Sequence, residues 1–165
     1  MPNEISSRAE FTNFVCTSMN KDFADFDYCV LKAVNRTYKY VSMKLTLYEK
    51  PLKSLRVNFA LYKRANGYKP FLYNQTVDGC KFFKNPKSNI VTQYFFGFIK
   101  EITNLSHPCP YNEDFTMEKL SLEMVNYRIT NLLPFPEGEY MFQAIWTGNN
   151  KGSVVFKLYI QLTNF

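Results

Sequence analysis

Histidine and tryptophan each occur once in the 165 residues, as His107 and Trp146. The four cysteines, Cys16, Cys29, Cys80 and Cys109, contain no C-x-x-C pair. One histidine and four dispersed cysteines make no zinc set, so no metal is expected. The chain lacks G-x-S-x-G, a glycine-rich phosphate loop and H-E-x-x-H, so neither an enzyme nor a bound cofactor is expected. No run of about 18 apolar residues is present to span a membrane as a helix. Linkers, repeats and low-complexity stretches are missing too, which leaves one domain over residues 11–165 behind a loose polar lead-in, residues 1–10. The opening residues Met1-Pro2-Asn3-Glu4-Ile5 carry no apolar leader segment, so secretion would require a signal peptide not visible in this chain.

Aromatic residues, by contrast, are abundant. Sixteen Phe and twelve Tyr raise the aromatic share to 18%, and strands favour such residues. Three sequons occur, at Asn35, Asn74 and Asn104. Beside an even cysteine count they point to the secretory route, with N-glycans at those asparagines. That compartment argues against nucleic acid as a partner for a chain of net charge +6. Lys63, Arg64 and Lys69 cluster at one hairpin, and Lys81, Lys84 and Lys87 in another polar segment. They read as solvated faces, or as a basic rim for a membrane surface.

Alternation predicts most of the elements. Val41, Met43, Leu45 and Leu47 share one face of a strand over 38–48. Leu55, Val57, Phe59 and Leu61 share one face of the next, expected to be its hairpin partner. Asn66-Gly67 is a turn signal. A third strand, Pro70 to Asp78, must turn Asn74 outward if it carries a glycan, leaving Phe71, Tyr73, Gln75 and Val77 inward. Residues 89–103 place Ile90, Val91, Tyr94, Phe95, Phe98, Ile99 and Ile102 at helical spacing, one amphipathic helix opened by Asn85-Pro86 or Ser88. Strands follow at Phe115 to Leu120 and Asn126 to Leu133, then a turn from Pro134 to Gly138. Tyr140, Phe142, Ala144 and Trp146 alternate on the next strand. After the turn Asn149-Asn150-Lys151-Gly152, Val154, Phe156, Leu158, Ile160 and Leu162 form the last. The fold class is mainly β: an antiparallel sandwich with one inserted helix.

Four cysteines allow three pairings. Cys16 with Cys29 and Cys80 with Cys109 is favoured, the first closing an N-terminal hairpin and the second stapling both ends of the helical insertion. In a chain-entropy treatment these are worth at most about 3.0 and about 3.6 kcal/mol. His107, the pair Glu113 and Asp114, and the pair Glu137 and Glu139 fall in polar turns and read as surface charge. The inward-facing apolar residues are the remaining candidate site: Val41, Met43, Leu45, Leu47, Val57, Phe59, Leu61, Phe71, Tyr73, Phe95, Phe98, Phe142, Trp146, Phe156 and Leu158. Such a stripe is more often core than pocket.

Several segments carry a resemblance that bears on this choice. They include Asp25-Phe26-Asp27-Tyr28-Cys29, Val34-Asn35-Arg36-Thr37-Tyr38-Lys39-Tyr40, Val57-Asn58-Phe59-Ala60-Leu61-Tyr62-Lys63-Arg64, Cys80-Lys81-Phe82-Phe83-Lys84-Asn85-Pro86, His107-Pro108-Cys109-Pro110-Tyr111 and Leu133-Pro134-Phe135-Pro136-Glu137-Gly138. In these the chain resembles an insect family of small secreted proteins of unknown function, expanded in fruit flies. That family looks related to the CheB-type chemosensory proteins and is more distantly similar to the ML lipid-recognition domains. The resemblance implies an immunoglobulin-like sandwich holding an apolar ligand (lipid, sterol-like or cuticular hydrocarbon) between its sheets, with chemosensation as its setting. The expected product is a secreted monomer whose partners are that ligand and a receptor or membrane surface. The alternative is an extracellular interaction domain with a solid core and no ligand, favoured if no cavity reaches roughly 300 Å³.

Overall fold

A computed structural model describes residues 7–36, 38–130 and 135–164. Among these residues eight strands form two antiparallel sheets: β1 (Ser7–Ser18), β2 (Ala24–Ala33), β3 (Lys39–Leu47), β4 (Leu55–Ala65), β5 (Gly67–Asp78), β6 (Phe115–Ser121), β7 (Gly138–Gly148) and β8 (Gly152–Asn164). The larger sheet runs β1-β8-β7-β4-β5 and the smaller β2-β3-β6. The architecture is the expected mainly-β sandwich.

Its inner face is built in rows. Leu61, Phe142, Leu158 and Phe14 stand abreast across β4, β7, β8 and β1, and Phe59, Ala144, Phe156 and Cys16 form the next row. Opposite them the smaller sheet presents the rows Leu31, Val41, Leu120 and Cys29, Met43, Met117. Alternation at period two created both faces. One end of the interior is packed solid around Phe23, Leu52, Tyr111 and Phe115, all buried. Gly148 and Gly152 are required there, because a Cβ on either would meet Leu52 or the Phe23 ring at 2.5 Å.

Several expectations are corrected. β3 and β4 are not hairpin partners. β3 pairs with β2 and β6, and β4 with β5 and β7, so the chain crosses between sheets after Leu47. Alternation reports which face of a strand is buried, not which strand lies beside it. Likewise β1 and β2 are no hairpin: Cys16–Cys29 joins the larger sheet to the smaller, with Cα atoms 6.1 Å apart. Residues 7–10 belong to β1, and Ala9 is wholly buried, so the lead-in is shorter than expected; its residues 1–6 lie outside the described residues.

The expected helix over 89–103 is shorter and has company. The described helices are α1 (Gly79–Lys84), α2 (Ile90–Phe96) and α3 (Leu122–Thr130), with one 3-10 turn at Pro86–Ser88. Asp78 caps α1 and Asn89 caps α2, each accepting from the amide three residues on. After Gly97 the chain winds on in tighter turns, Phe98 to Phe95, Ile99 to Phe96 and Ile102 to Ile99. Bonds of that shorter span keep Phe98, Ile99 and Ile102 inward without extending the α-helix. Ile90, expected on the apolar face, is 78% exposed. The expected strand from Asn126 is instead α3, started by the Ser121 hydroxyl accepting from Met124 N. Residues 131–134, where that strand was expected to end and the following turn to begin, lie outside the described residues, as does Thr37 of the first sequon.

Candidate apolar ligand site

The smaller sheet has three strands against five, so it cannot roof the whole larger sheet. The chain between β5 and β6 covers the rest. Phe95 on α2 packs its ring on Phe59 of β4 (5.3 Å), Phe142 of β7 (5.4 Å) and Tyr73 of β5 (5.2 Å). Cys80–Cys109 ties the start of α1 to the segment leading into β6, with Cα atoms 5.2 Å apart. Beyond α2, Glu118 N donates to Ile102 O and Thr103 Oγ1 to Thr116 O, which stitches the segment to the edge of β6. This cover is attached at its margins rather than laid strand against strand, and side chains beneath it do not close on one another.

What remains between the layers is a cavity of about 240 Å³ with almost wholly apolar walls. Ala144 accounts for part of it. It is the one small side chain between Phe59 and Phe156 in its row, and no large group fills the centre of the floor. Of the fifteen residues expected at such a site, Val41, Met43, Val57, Phe59, Leu61, Phe95, Phe98, Phe142, Trp146, Phe156 and Leu158 line this cavity. Four do not. Leu45 and Leu47 face the solid end, beside a void of about 20 Å³. Phe71 and Tyr73 stand behind the wall, Phe71 against Tyr140 at 5.6 Å and Tyr73 against Phe95. On β5 the residues Phe71, Tyr73, Gln75 and Val77 are half-buried while Leu72, Asn74 and Thr76 are exposed, so Asn74 does look outward.

The walls also include residues outside that set: Leu55 and Ala144, which alternation places on inward strand faces, and Phe82, Phe96, Leu105, Leu120 and Val125. Polar ones were missed as well. Thr92, only 7% exposed, lines the cavity with an Oγ1 that has no partner among the described residues. Tyr94 also lines it, and its buried hydroxyl has none. Burial pushes that hydroxyl up to about 12 against the pull of Arg128 beside it, so it stays protonated at neutral pH. Arg128 of α3 donates from Nη2 to Tyr94 O at 2.8 Å, and its guanidinium lies over the rings of Tyr94 (5.2 Å) and Phe98 (5.0 Å). The serine cap at Ser121 was the sequence signal that could have placed Arg128 on a helix facing the cover.

The groups read as surface charge have defined partners. His107 Nε2 meets Glu113 Oε1 at 2.9 Å, and that bond raises the imidazole above its usual value. Asp114 accepts from Leu47 N (2.9 Å) and Lys50 Nζ (3.0 Å). Arg64 pairs with Glu139 at 2.9 Å and Lys63 lies over Tyr140, while Lys81, Lys84 and Lys87 are exposed. Asn104 is engaged at both ends of its carboxamide, donating to Asp114 O and accepting from Thr116 N. Among the described residues no helix is long and apolar enough to cross a membrane.

The stretch that builds this site also decides the family. The sequence profile of DUF1091, described as a protein of unknown function, matches residues 57–142, 86 of the 165. The chain belongs to the DUF1091 family. The matched stretch runs from near the start of β4 into β7, and so holds the whole cover with its disulfide and α3. No curated protein matches the chain.

Proposed function

We propose that this DUF1091 chain is an extracellular binding protein for a small apolar ligand. The observation that carries the reading is the cavity of about 240 Å³ between the sheets, walled by apolar side chains and covered by a stapled segment. An engineered apolar void of about 150 Å³ stays dry and takes benzene; scaled from that, this one takes roughly ten carbon atoms. Burying about ten methylenes contributes about 8 kcal/mol before association costs. The resemblance to secreted insect proteins related to CheB-type chemosensory proteins, and more distantly to ML lipid-recognition domains, supports the same reading and suggests chemosensation as its setting. Two disulfides are typical of extracellular proteins, and glycans on Asn35 and Asn74 belong to this proposal. A glycan on Asn104 belongs to it as well, since a glycosylated carboxamide keeps one N–H for Asp114 O and its oxygen for Thr116 N.

One observation favours the alternative of an extracellular interaction domain. The cavity lies just under the roughly 300 Å³ at which pockets for drug-sized ligands begin, so the reading is confined to small or slender ligands. Native mass spectrometry of protein secreted from insect cells separates the two. A co-purified apolar molecule of about ten carbons, or uptake of a neutral apolar fluorescent probe, is the expected result. Neither of these in correctly disulfide-bonded protein would overturn ligand binding and leave the interaction domain.

A further inference from the structure

We infer that the ligand is amphiphilic, and that Arg128 with the Tyr94 hydroxyl receives an anionic head group, a carboxylate, at the α2–α3 end of the cavity. The inference rests on the apolar-ligand reading and names the class within it. Three side-chain polar atoms are buried without a partner among the described residues: Thr92 Oγ1, Tyr94 OH and Arg128 Nε. Buried polar groups are nearly always bonded, so each needs a reason. Two of the three belong to side chains in mutual contact, one of them a cation. Arg128 takes part in none of the ion pairs among the described residues. Its compensation there is one backbone carbonyl and the faces of two rings. Cation–π contact offsets part of the cost of desolvating a guanidinium, and a carboxylate offsets more, through charge-assisted bonds.

The placement is specific to this cation. Both rings under the guanidinium, Tyr94 and Phe98, line the cavity while Arg128 itself stands behind them, so an anion reaches Arg128 Nε and Tyr94 OH by parting those rings and leaves its chain in the apolar interior. Gly97 makes the room. A Cβ there would stand 2.3 Å from Nη2 and 2.6 Å from Cζ of Arg128. Thr92, which lines the cavity two positions before Tyr94, is not adjacent to it on the helix surface and takes no part.

The test compares decanoate with methyl decanoate at neutral pH. Each displaces neutral N-phenyl-1-naphthylamine from full-length protein with both disulfides intact. Decanoate is expected to compete at least about tenfold better, a factor worth about 1.4 kcal/mol. In Arg128→Gln the two should draw level, the ester keeping its affinity. Gly97→Ala, which displaces the guanidinium but keeps the charge in the chain, should also lose the preference and serves if R128Q does not fold. A purely structural role for Arg128, tying α2 to α3, would weaken acid and ester alike and would overturn the inference. Equal competition in the unsubstituted protein overturns it while leaving the cavity reading intact. So does an acid preference that survives both substitutions. Failure of the probe itself to bind overturns the apolar-ligand reading, and the inference with it.

Discussion

Asp114 shows how a residue read as surface charge becomes structural. Its carboxylate holds the end of β3 through Leu47 N and meets Lys50 beyond it. Burial alone would push its carboxyl up, but those two bonds and the nearby lysines outweigh it and hold it below the ordinary value near 3.8. The folded state therefore releases this proton more readily than the unfolded chain. The resulting stability is present above about pH 4 and is lost as pH falls through the folded value. Asp114→Asn should lower stability by about 1 kcal/mol at neutral pH. In urea titrations at stepped pH, the gap between the two proteins should narrow as pH falls below the ordinary carboxyl value near 3.8. A gap unchanged from pH 7 to 2.5 would show that the carboxylate charge contributes nothing. Sequence could not reveal this role, because Asp114 and Leu47 are 67 positions apart.

At the scale of elements, the strands were legible and the helices much less so. A strand with one buried face writes that face into its sequence at every second position, as Val41, Met43, Leu45 and Leu47 do. α3 was read as a strand because its nine residues span only two and a half turns, too few for period 3.6 to stand out from alternation. The α2 segment was read too long because Phe98, Ile99 and Ile102 keep helical spacing through turns that are not α-helical. The cover depends on its staple more than on helix propensity, since seven residues are short for a helix in water. Replacing Cys80 and Cys109 together by serine should cost up to about 3.6 kcal/mol. Hydrogen exchange should then accelerate over 79–109 well before the strands of the larger sheet. Uniform acceleration across the chain would mean that the cover is no separate unit.

At the scale of the whole molecule, the mismatch between five strands and three leaves part of one sheet to be covered by irregular chain, and the cavity lies where that cover meets the sandwich. Ala144 is the place to test this. Ala144→Leu puts a larger side chain between Phe59 and Phe156. Filling a void in this way should raise stability by about 0.5–2 kcal/mol. The same change should weaken binding of an apolar fluorescent probe at least about tenfold, a loss of about 1.4 kcal/mol. A stabilised protein that still binds the probe as before would place the ligand elsewhere. Destabilisation would mean that the void is already closed by its neighbours in solution.

The sequence by itself determined the sandwich class and the inward face of most strands, because burial on one side of a strand is a local pattern with period two. It also favoured the two disulfide pairings that the structure holds, although not the sheets that Cys16–Cys29 would join. Only the tertiary structure decided which strands are neighbours, that Leu45 and Leu47 belong to a solid end while Phe59 and Phe142 face a void, and that Arg128 meets the ring of Tyr94. Each depends on contacts between residues distant in the chain. A hydrophobic pattern states that a side chain is buried; whether its neighbours reach it is settled by how many strands lie opposite and what covers the remainder.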